Sequence, residues 1–262
     1  MPGPRYVFIG GLHRSGTSLL AQLLGAHPDI AAIEDAPVPE NEGVYLQGAI
    51  PHTARSGLPG RFAFDEAQHL TEESRFNTLG VRDYLTAQWD DWYAPDAPWR
   101  LEKSPVNLMR ARLYQQLFPT AQFVFVTRHP VAVARATMKW TPQPEAELLA
   151  HWETAHARLL ADLDHLHCWL VMRYEDLTRD PQAALDRIAT FLDIAPLTVS
   201  QAVDADLNAR YFDAGPPSPD APPLDHAAAF GYAIDDAGRP QVREMPGPRG
   251  RHYFNSRTAA IA

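Results

Sequence analysis

The first 25 residues combine an apolar run, a glycine-bearing turn and a helical repeat of leucines. Tyr6-Val-Phe-Ile9 has the aromatic and β-branched composition of a buried strand, and Gly10 and Gly11 end it. From Ser15 onward, leucines recur at helical spacing as far as Gly25. A strand, a tight turn and a helix in this order predict one unit of a parallel α/β sheet, because the helix packs back onto the strand that precedes it.

The same alternation continues along the chain. Strands are predicted at 122–127 and 169–172, and helices at 108–118, 131–140, 145–166 and 181–192. Alternating elements of this kind predict a mainly parallel sheet with helices on both faces. We find no repeat and no domain boundary, so we expect one α/β domain over residues 1–262. Residues 213–223 are predicted to form a Pro-rich loop, and residues 224–262 an irregular tail or lid.

The composition limits the classes of partner. The formal net charge of −9 disfavours a surface that wraps nucleic acid or a long sulfated glycan, because such surfaces are basic. Cys168 is the only cysteine, so no internal disulfide can form, which is typical of a reducing compartment. The N-terminus lacks the apolar stretch of a signal peptide, and no run approaches the roughly 20 apolar residues of a membrane span. We therefore expect a cytoplasmic protein that binds neither nucleic acid nor membranes.

The segment Gly11-Leu-His-Arg-Ser-Gly-Thr-Ser18 lies where a phosphate-binding loop is expected, after the first strand and at the start of a helix. Backbone N–H groups in such a turn, with the positive end of the helix dipole, form an anion site. The glycines and the final hydroxyl match the pattern G-x-x-x-x-G-K-[ST], but Thr17 replaces the lysine. That lysine contacts the β- and γ-phosphates of nucleoside triphosphates, so its absence disfavours a kinase or an ATPase. Arg14 supplies a cation within the same loop.

Four segments, in this order along the chain, resemble those of sulfotransferases that use 3′-phosphoadenosine-5′-phosphosulfate (PAPS). They are Arg14-Ser-Gly-Thr-Ser18, Glu102-Lys-Ser-Pro105, Thr127-Arg-His-Pro-Val-Ala-Val-Ala-Arg135 and Arg173-Tyr-Glu-Asp-Leu177. The resemblance covers residues 6 to 192 and is to the branch that contains tyrosylprotein sulfotransferases and many bacterial small-molecule enzymes. It implies a P-loop-like fold and transfer of a sulfuryl group from PAPS to a hydroxyl or similar nucleophile of a small acceptor, with release of adenosine 3′,5′-bisphosphate.

The resemblance also implies which residues contact PAPS. The 5′-phosphosulfate is assigned to the loop residues Arg14, Ser15, Gly16, Thr17 and Ser18. Arg128 is assigned to the 3′-phosphate, and Tyr174 to the neighbourhood of the adenine. Lys103, which we expect in a loop just before a helix, is assigned to the charge that develops on the transferring sulfuryl group.

One position departs from the family pattern. Family members usually carry a serine eight residues after the strand-end arginine, and that serine binds the 3′-phosphate, whereas this chain has Ala136. Thr137, Arg135 or an arginine of the C-terminal tail is the expected compensation.

A hydroxyl acceptor loses its proton as it attacks sulfur, so we expect a general base. Candidates are Glu34, Asp35, Glu40, Glu42 and His13. We predict that residues 33–36 form the next strand or its end, which brings Glu34 and Asp35 to the same sheet edge as the loop. Alignment with the resembling branch, counted from the loop arginine, favours Asp35. Glu34 and Glu42 stay open as alternatives.

Aromatic residues concentrate between residues 35 and 100, and we expect its tryptophans to line an apolar acceptor pocket. No metal is expected, because the eleven histidines complete no zinc-binding set with a cysteine. Glu175 and Asp176 follow a strand, as a magnesium-binding acid would, but we interpret them as an ordinary acidic turn. Two other functions remain open: a phosphate-loop nucleotide kinase or nucleotidase, and a non-catalytic protein that binds PAPS or another nucleotide.

Overall fold

A five-stranded parallel sheet lies at the centre of the protein, whose computed structural model describes residues 3–53, 59–199 and 203–245. The strands are β1 (Arg5–Gly11), β2 (Ile30–Ala32), β3 (Trp99–Lys103), β4 (Gln122–Thr127) and β5 (Trp169–Arg173). Their order is β2-β3-β1-β4-β5, and every neighbouring pair is parallel. The predicted α/β class with a mainly parallel sheet is confirmed.

Helices connect the strands and cover both faces of the sheet. They are α1 (Thr17–Gly25), α2 (Gly43–Leu46), α3 (Leu79–Asp90), α4 (Ala111–Leu117), α5 (Pro130–Thr137), α6 (Glu145–Leu163), α7 (Tyr174–Arg179), α8 (Pro181–Leu192) and α9 (Ala209–Phe212). An antiparallel hairpin of β6 (Tyr232–Ile234) and β7 (Pro240–Val242) follows α9. No helix of the described ranges is long and apolar enough to cross a membrane.

The central strands are apolar along their length because both of their faces are covered. In β4, Phe123 belongs to one core and Val124 to the other, since successive side chains of a strand point to opposite faces. The first core includes Trp152 of α6, and the second includes Leu20 of α1. This packing places β1 and β4 side by side, so that their carboxyl ends open onto the same edge of the sheet.

The expectation of a strand at residues 33–36 is wrong. The strand is β2, which begins three residues earlier, where buried Ile30 lies opposite Trp99 of β3. Asp35 has a φ of 51°, in the left-handed region that an extended strand cannot include. Glu34 and Asp35 therefore follow the strand and lie at its carboxyl end.

Lys103 is the last residue of β3 and does not lie in a loop, which corrects the sequence-based expectation. The strand was missed because its alternate charged residues hide the apolar pattern, yet β1 and β2 pair with it on both sides. The pairing buries Lys103, which is 4% exposed. The helix predicted at 108–118 is shorter than expected: a 3-10 turn covers Pro105–Met109, and α4 ends at Leu117.

The tryptophan-rich segment does not form the expected acceptor pocket. Trp89 and Tyr93 lie in one core and Trp99 in the other, all of them buried. The indole of Trp89 donates a hydrogen bond from Nε1 to the Gly43 carbonyl at 2.9 Å inside this packing. These aromatic rings therefore stabilise the fold.

The expected irregular tail is partly ordered secondary structure. Within residues 224–245, buried Tyr232 of β6 donates a hydrogen bond from its hydroxyl to Glu175 at 2.8 Å. Arg173 donates to the carbonyls of Phe230 and Arg243, which attaches the hairpin to the end of β5. Residues 213–223 contain no helix or strand, in agreement with the predicted loop. The rest of the predicted tail, 246–262, lies outside the described residues.

Candidate functional site

The loop between β1 and α1 has the backbone geometry of an anion site. Gly16, the N-cap of α1, has a φ of 105°, and no side chain caps the first N–H groups of the helix. Arg14 also has a positive φ, 67°, so the chain turns sharply just before these groups. Uncapped N–H groups at a helix start carry partial positive charge, which favours a phosphate or sulfate group.

The two glycines of the loop are required by close packing. A Cβ on Gly11 would lie 2.4 Å from the carbonyl oxygen of Val126, and a Cβ on Gly16 would lie 2.5 Å from the Tyr174 ring. Both distances are shorter than any ordinary contact, so a larger residue would push the loop away from β4 and Tyr174. The pattern that the sequence shares with phosphate loops is therefore explained by sterics at these two positions.

Ser15 points a hydroxyl into the loop without a protein partner. The residue is 1% exposed, and its Oγ makes no hydrogen bond to any of the described residues. A buried hydroxyl without a partner costs about 1–3 kcal/mol, so it is normally retained for a ligand or water. An anion at the start of α1 would accept a hydrogen bond from this hydroxyl.

Arg128 directly follows β4 and links the loop to the segment that precedes α9. Its Nη1 donates to the carbonyl of Arg14 at 3.0 Å, and its Nε donates to Asn208 Oδ1 at 2.7 Å. The guanidinium lies 4.1 Å from the centre of the Tyr174 ring, as cation–π pairs do. Its Nη2 is buried and has no hydrogen-bond partner in the described part of the chain. Burial lowers the pKa of Arg128, and an anion beside Nη2 would offset that cost.

On the other side of the loop, Lys103 and Glu42 form a buried ion pair. Lys103 Nζ lies 3.1 Å from Glu42 Oε1, and both side chains are almost fully enclosed. Burial raises the pKa of Glu42 to about 7, although the charge and hydrogen bond of Lys103 act in the opposite direction. A carboxyl group with this pKa exchanges a proton readily near neutral pH.

An open cavity of about 270 Å³ lies between α1 and the ends of β2 and β3. Its wall includes Ser18, Ile33, Glu34, Glu40, Leu101 and Lys103. Ser18 of the loop donates a hydrogen bond to Glu40 at 3.1 Å, which links the loop to this wall. The cavity thus places carboxylates and the Lys103 ammonium next to the anion site.

The predicted candidates for a base occupy different environments. Glu34 lines the cavity and is exposed, and Asp35 is exposed in the bend after it. Glu42 is buried against Lys103. His13 contacts the rings of Phe62 and Trp140 edge to face, and burial lowers its pKa to about 3. A histidine with that pKa is a poor base, so the carboxylates remain the candidates.

Two other sequence-based interpretations concern structural residues. His129 caps α5, because its Nδ1 accepts a hydrogen bond from the N–H of Val131 at 3.3 Å. Glu175 accepts hydrogen bonds from the His129 N–H, the Asn208 amide and the Tyr232 hydroxyl, and Asp176 accepts from Arg173. Among the described residues, no group of three or more His, Cys, Asp or Glu side chains could hold a metal ion.

Sequence reasoning missed one group at this edge. Tyr211 lies beside Arg128, with the guanidinium carbon 5.4 Å from the ring centre, and Lys139 and Arg210 lie against the same Tyr211 ring. Two of these residues belong to α9, in a segment without a clear periodic pattern, so the only available signal was the presence of basic residues there.

These features define the class of protein. The protein is an α/β protein with a parallel sheet and a loop that matches the phosphate-loop pattern except for its lysine. Directly after β4 it carries an arginine with one N–H group that has no partner among the described residues. The sequence model of the sulfotransferase family matches residues 4–198, and the chain belongs to this family.

Curated relatives and solved structures agree with the family. The chain is 26% identical over 203 residues to a protein-tyrosine sulfotransferase of Drosophila melanogaster. The aligned region covers 72% of this chain and 38% of the relative. It is 22% identical over 197 residues to a putative protein-tyrosine sulfotransferase of Caenorhabditis briggsae, covering 72% of this chain and 65% of the relative. The chain therefore spans less than two thirds of the length of either relative. A sulfotransferase structure from Alicyclobacillus acidocaldarius shares the fold, with a TM-score of 0.52 at 18% identity over 81% of this chain and 91% of that one.

Proposed function

We propose that the protein transfers a sulfuryl group from PAPS to a hydroxyl of a small-molecule acceptor and releases adenosine 3′,5′-bisphosphate. The observation that carries the proposal is the direct contact between two anion-binding elements. Arg128, which keeps one buried N–H group unpartnered among the described residues, donates to the backbone of the phosphate loop through Arg14. A ligand with a negative group at each end of a nucleoside would satisfy both elements, and family membership supports the same ligand.

The residues present fit PAPS at both ends. The loop N–H groups, the Ser15 hydroxyl and Arg14 would hold the 5′-phosphosulfate, with Thr17 and Ser18 at the first turn of α1. Arg128 would hold the 3′-phosphate through Nη2, and the ring of Tyr174, which contacts both Gly16 and Arg128, would lie beside the nucleoside. We assign no metal ion to this site, and sulfuryl transfer without a metal remains a prediction.

The transfer itself requires charge stabilisation and alignment. Bound PAPS supplies an activated sulfuryl group, whose bond to the phosphate oxygen breaks while the acceptor oxygen bonds to sulfur. Lys103, at the end of β3 and on the wall of the cavity, lies where its ammonium can offset the negative charge that develops on the transferring group. Arg14 is the second cation for this role, and the rigid strand ends hold both elements in position for in-line attack.

We assign the general base to Glu42, ahead of Asp35 and Glu34. Glu42 combines contact with Lys103 at 3.1 Å with a pKa of about 7, which suits proton transfer at neutral pH. Asp35, which the family alignment favours, and Glu34, which lines the cavity, are the alternatives. The base takes the acceptor proton as the new oxygen–sulfur bond forms.

The cavity beside the loop supports a small acceptor. Its volume of about 270 Å³ is close to the lower limit of about 300 Å³ that is usual for ligand pockets. Carboxylates and an ammonium on its wall favour an acceptor with several hydroxyl or amino groups over a purely apolar one. The protein-tyrosine acceptor in the names of the curated relatives is the second candidate, because a tyrosine side chain is also a hydroxyl of modest size.

The direct test is mass spectrometry of acceptors after incubation with the protein and PAPS. The panel contains polyols, amino alcohols, phenols and a tyrosine-containing peptide, and the expected result is addition of one sulfuryl group to a small hydroxyl compound. Sulfation of the peptide alone would replace the small-molecule part of the proposal. Binding of adenosine 3′,5′-bisphosphate without transfer to any acceptor would favour a non-catalytic nucleotide-binding protein. Stronger thermal stabilisation by ATP with Mg²⁺ than by the bisphosphate would favour a kinase or nucleotidase.

A further inference from the structure

Tyr211 of α9 occupies the space beside the residue where the family pattern places a serine. Ala136 is fully buried, and it packs with Ala132 and Tyr211 in one small apolar cluster. A serine at position 136 would bring a hydroxyl into this buried apolar cluster, where an alanine packs without a polar group. The backbone carbonyl of Tyr211 also accepts a hydrogen bond from Arg135, which fixes α9 against α5.

Three cations surround the Tyr211 ring. Lys139 Nζ lies 4.7 Å from the ring centre and donates a hydrogen bond to the Tyr211 hydroxyl at 3.2 Å. The guanidinium carbons of Arg128 and Arg210 lie 5.4 and 5.6 Å from the same centre. Burial alone would raise the pKa of Tyr211, but the hydrogen bond and charge of Lys139, with the charges of Arg128 and Arg210, lower it below its usual value.

Within the described residues, Arg128, Lys139 and Arg210 take part in no ion pair, although the chain as a whole carries a net charge of −9. The chain contains two lysines, Lys103 and Lys139, and both lie at the carboxyl edge described above. Clustered positive charge on an acidic protein raises the local concentration of an anionic ligand. The buried Nη2 of Arg128, which lacks a partner among the residues that the structure describes, marks where such an anion would bind.

We propose that Lys139, Arg210 and the Tyr211 hydroxyl form, with Arg128, the binding site for the 3′-phosphate of the nucleotide, in place of the serine hydroxyl that Ala136 lacks. The inference rests on the proposed function, because it presupposes a nucleotide held by the phosphate loop. Lys139 donates one proton to the Tyr211 oxygen, which leaves the phenolic O–H free to donate to a phosphate oxygen. A phosphate monoester carries close to two negative charges at neutral pH, which matches a site with several cations and one hydroxyl donor.

The position of the group relative to the loop supports a phosphate on the ribose. Arg128 donates to the loop through Nη1, and its guanidinium carbon lies 5.4 Å from the Tyr211 ring centre, so the two anion sites share one side chain. Tyr174 lies between them, against Gly16 on one side and Arg128 on the other. A nucleoside with phosphates at both its 5′ and 3′ positions would reach the two sites at once.

The test compares adenosine 3′,5′-bisphosphate with adenosine 5′-monophosphate, which lacks only the 3′-phosphate. Affinities are measured by isothermal titration calorimetry for the full-length protein and for Lys139→Gln, Lys139→Arg and Tyr211→Phe. We expect wild type to prefer the bisphosphate at least about tenfold, since each charge-assisted hydrogen bond is worth roughly that factor or more. Lys139→Gln should lower this preference about tenfold, Tyr211→Phe about threefold, and Lys139→Arg should retain most of it. Binding of the monophosphate should be unchanged in all three.

The control variant is Arg82→Gln, which removes an exposed arginine of α3 paired with its neighbour Asp83. It should leave the preference for the bisphosphate at the wild-type value. An unaltered preference in both Lys139→Gln and Tyr211→Phe would overturn the inference. Equal wild-type affinity for the two nucleotides would overturn it as well, while the assignment of the loop would stand. Failure of wild type to bind the bisphosphate at all would instead overturn the proposed function.

A second measurement uses wild-type protein and does not depend on the folding of a variant. Lys139 is exposed and Lys103 is buried, so an amine-acetylating reagent should modify Lys139 first. We expect the bisphosphate to slow acetylation of Lys139 at least about fivefold, as read from peptide mass spectra, and the monophosphate to have little effect. Acetylation of Lys139 at the same rate with and without saturating bisphosphate would contradict the proposed contact.

Discussion

The Glu42–Lys103 pair gives the sharpest test of the candidate active site, through the substitution Glu42→Gln. The side chain is nearly isosteric, so the packing around α2 is retained while the titrating group is removed. Burial is the main cause of the raised pKa of Glu42, from an ordinary 4.5 to about 7. Because each pKa unit corresponds to about 1.4 kcal/mol, the shift amounts to roughly 3 kcal/mol of preference for the protonated form in the folded protein.

The sign of the pH dependence follows from this preference. Between pH 4.5 and 7 the folded protein binds more protons at Glu42 than the unfolded chain does, so the free energy of unfolding falls as the pH rises. The stabilising contribution is complete below the unfolded value and is lost as the pH passes the folded value. We expect the difference in unfolding free energy, wild type minus Glu42→Gln, to decrease by roughly 3 kcal/mol between pH 4.5 and 8. Urea denaturation across this range measures it.

The kinetic expectation uses the same variant. If Glu42 is the base, Glu42→Gln lowers kcat about a hundredfold or more, while affinity for adenosine 3′,5′-bisphosphate persists. In wild type, kcat/KM should rise with pH to a plateau above about pH 7, and the variant should lose this rise. Glu73→Gln, which removes an exposed carboxylate that does not line the cavity, is the control for loss of a negative charge.

Two results would refute this reasoning. A near-normal kcat for Glu42→Gln beside an inactive Asp35→Asn or Glu34→Gln would move the base to that residue. A pH-independent stability difference would show that Glu42 is not held protonated by burial. Since Glu42→Gln leaves buried Lys103 without its partner, some destabilisation is expected, and the kinetics are measured well below the melting temperature.

Three further predictions concern the rest of the site and the fold. Arg128→Gln should weaken binding of adenosine 3′,5′-bisphosphate, measured by calorimetry, about tenfold to a hundredfold, because the variant loses one charge-assisted hydrogen bond. Unchanged binding would show that Arg128 does not contact the nucleotide. Gly16→Ala should abolish nucleotide binding and destabilise the protein by about 1–3 kcal/mol in urea denaturation, because the new Cβ would lie 2.5 Å from Tyr174 at a φ of 105°. The control Gly80→Ala should be tolerated, because a Cβ there would have no neighbour closer than 4.0 Å. Burial lowers the pKa of His151 and His156 to about 3, so the folded protein binds fewer protons there than the unfolded chain below pH 6.5. In the Glu42→Gln variant, which lacks the opposing titration of Glu42, acidification from pH 7.5 to 5 should reduce the unfolding free energy by at least about 2 kcal/mol, and equal stability at the two pH values would contradict the neutral burial of the two histidines.

Local sequence patterns determined the parts of the protein whose conformation depends on neighbouring residues. The apolar run of β4 predicted a strand covered on both faces, and the glycines at 11 and 16 predicted a tight loop at the start of α1. The position of Arg128 directly after β4 was predicted from the sequence, because the apolar run Gln122–Thr127 is a clear strand pattern. The resemblance to sulfotransferases rested on the same segments, and the family comparison confirms it.

Tertiary structure alone decided the features in which distant segments meet. Lys103 pairs with Glu42 across 61 positions of sequence because β3 lies between β1 and β2. The mixed charged and apolar residues of β3 do not predict this strand pairing. Lys139 reaches Tyr211 across 72 positions, because α9 packs onto α5 over the small side chain of Ala136. Hydropathy patterns report which side of an element is buried, but they carry no information about which remote element buries it. The charges that surround the loop, and the pKa of Glu42, are therefore properties of the packed chain.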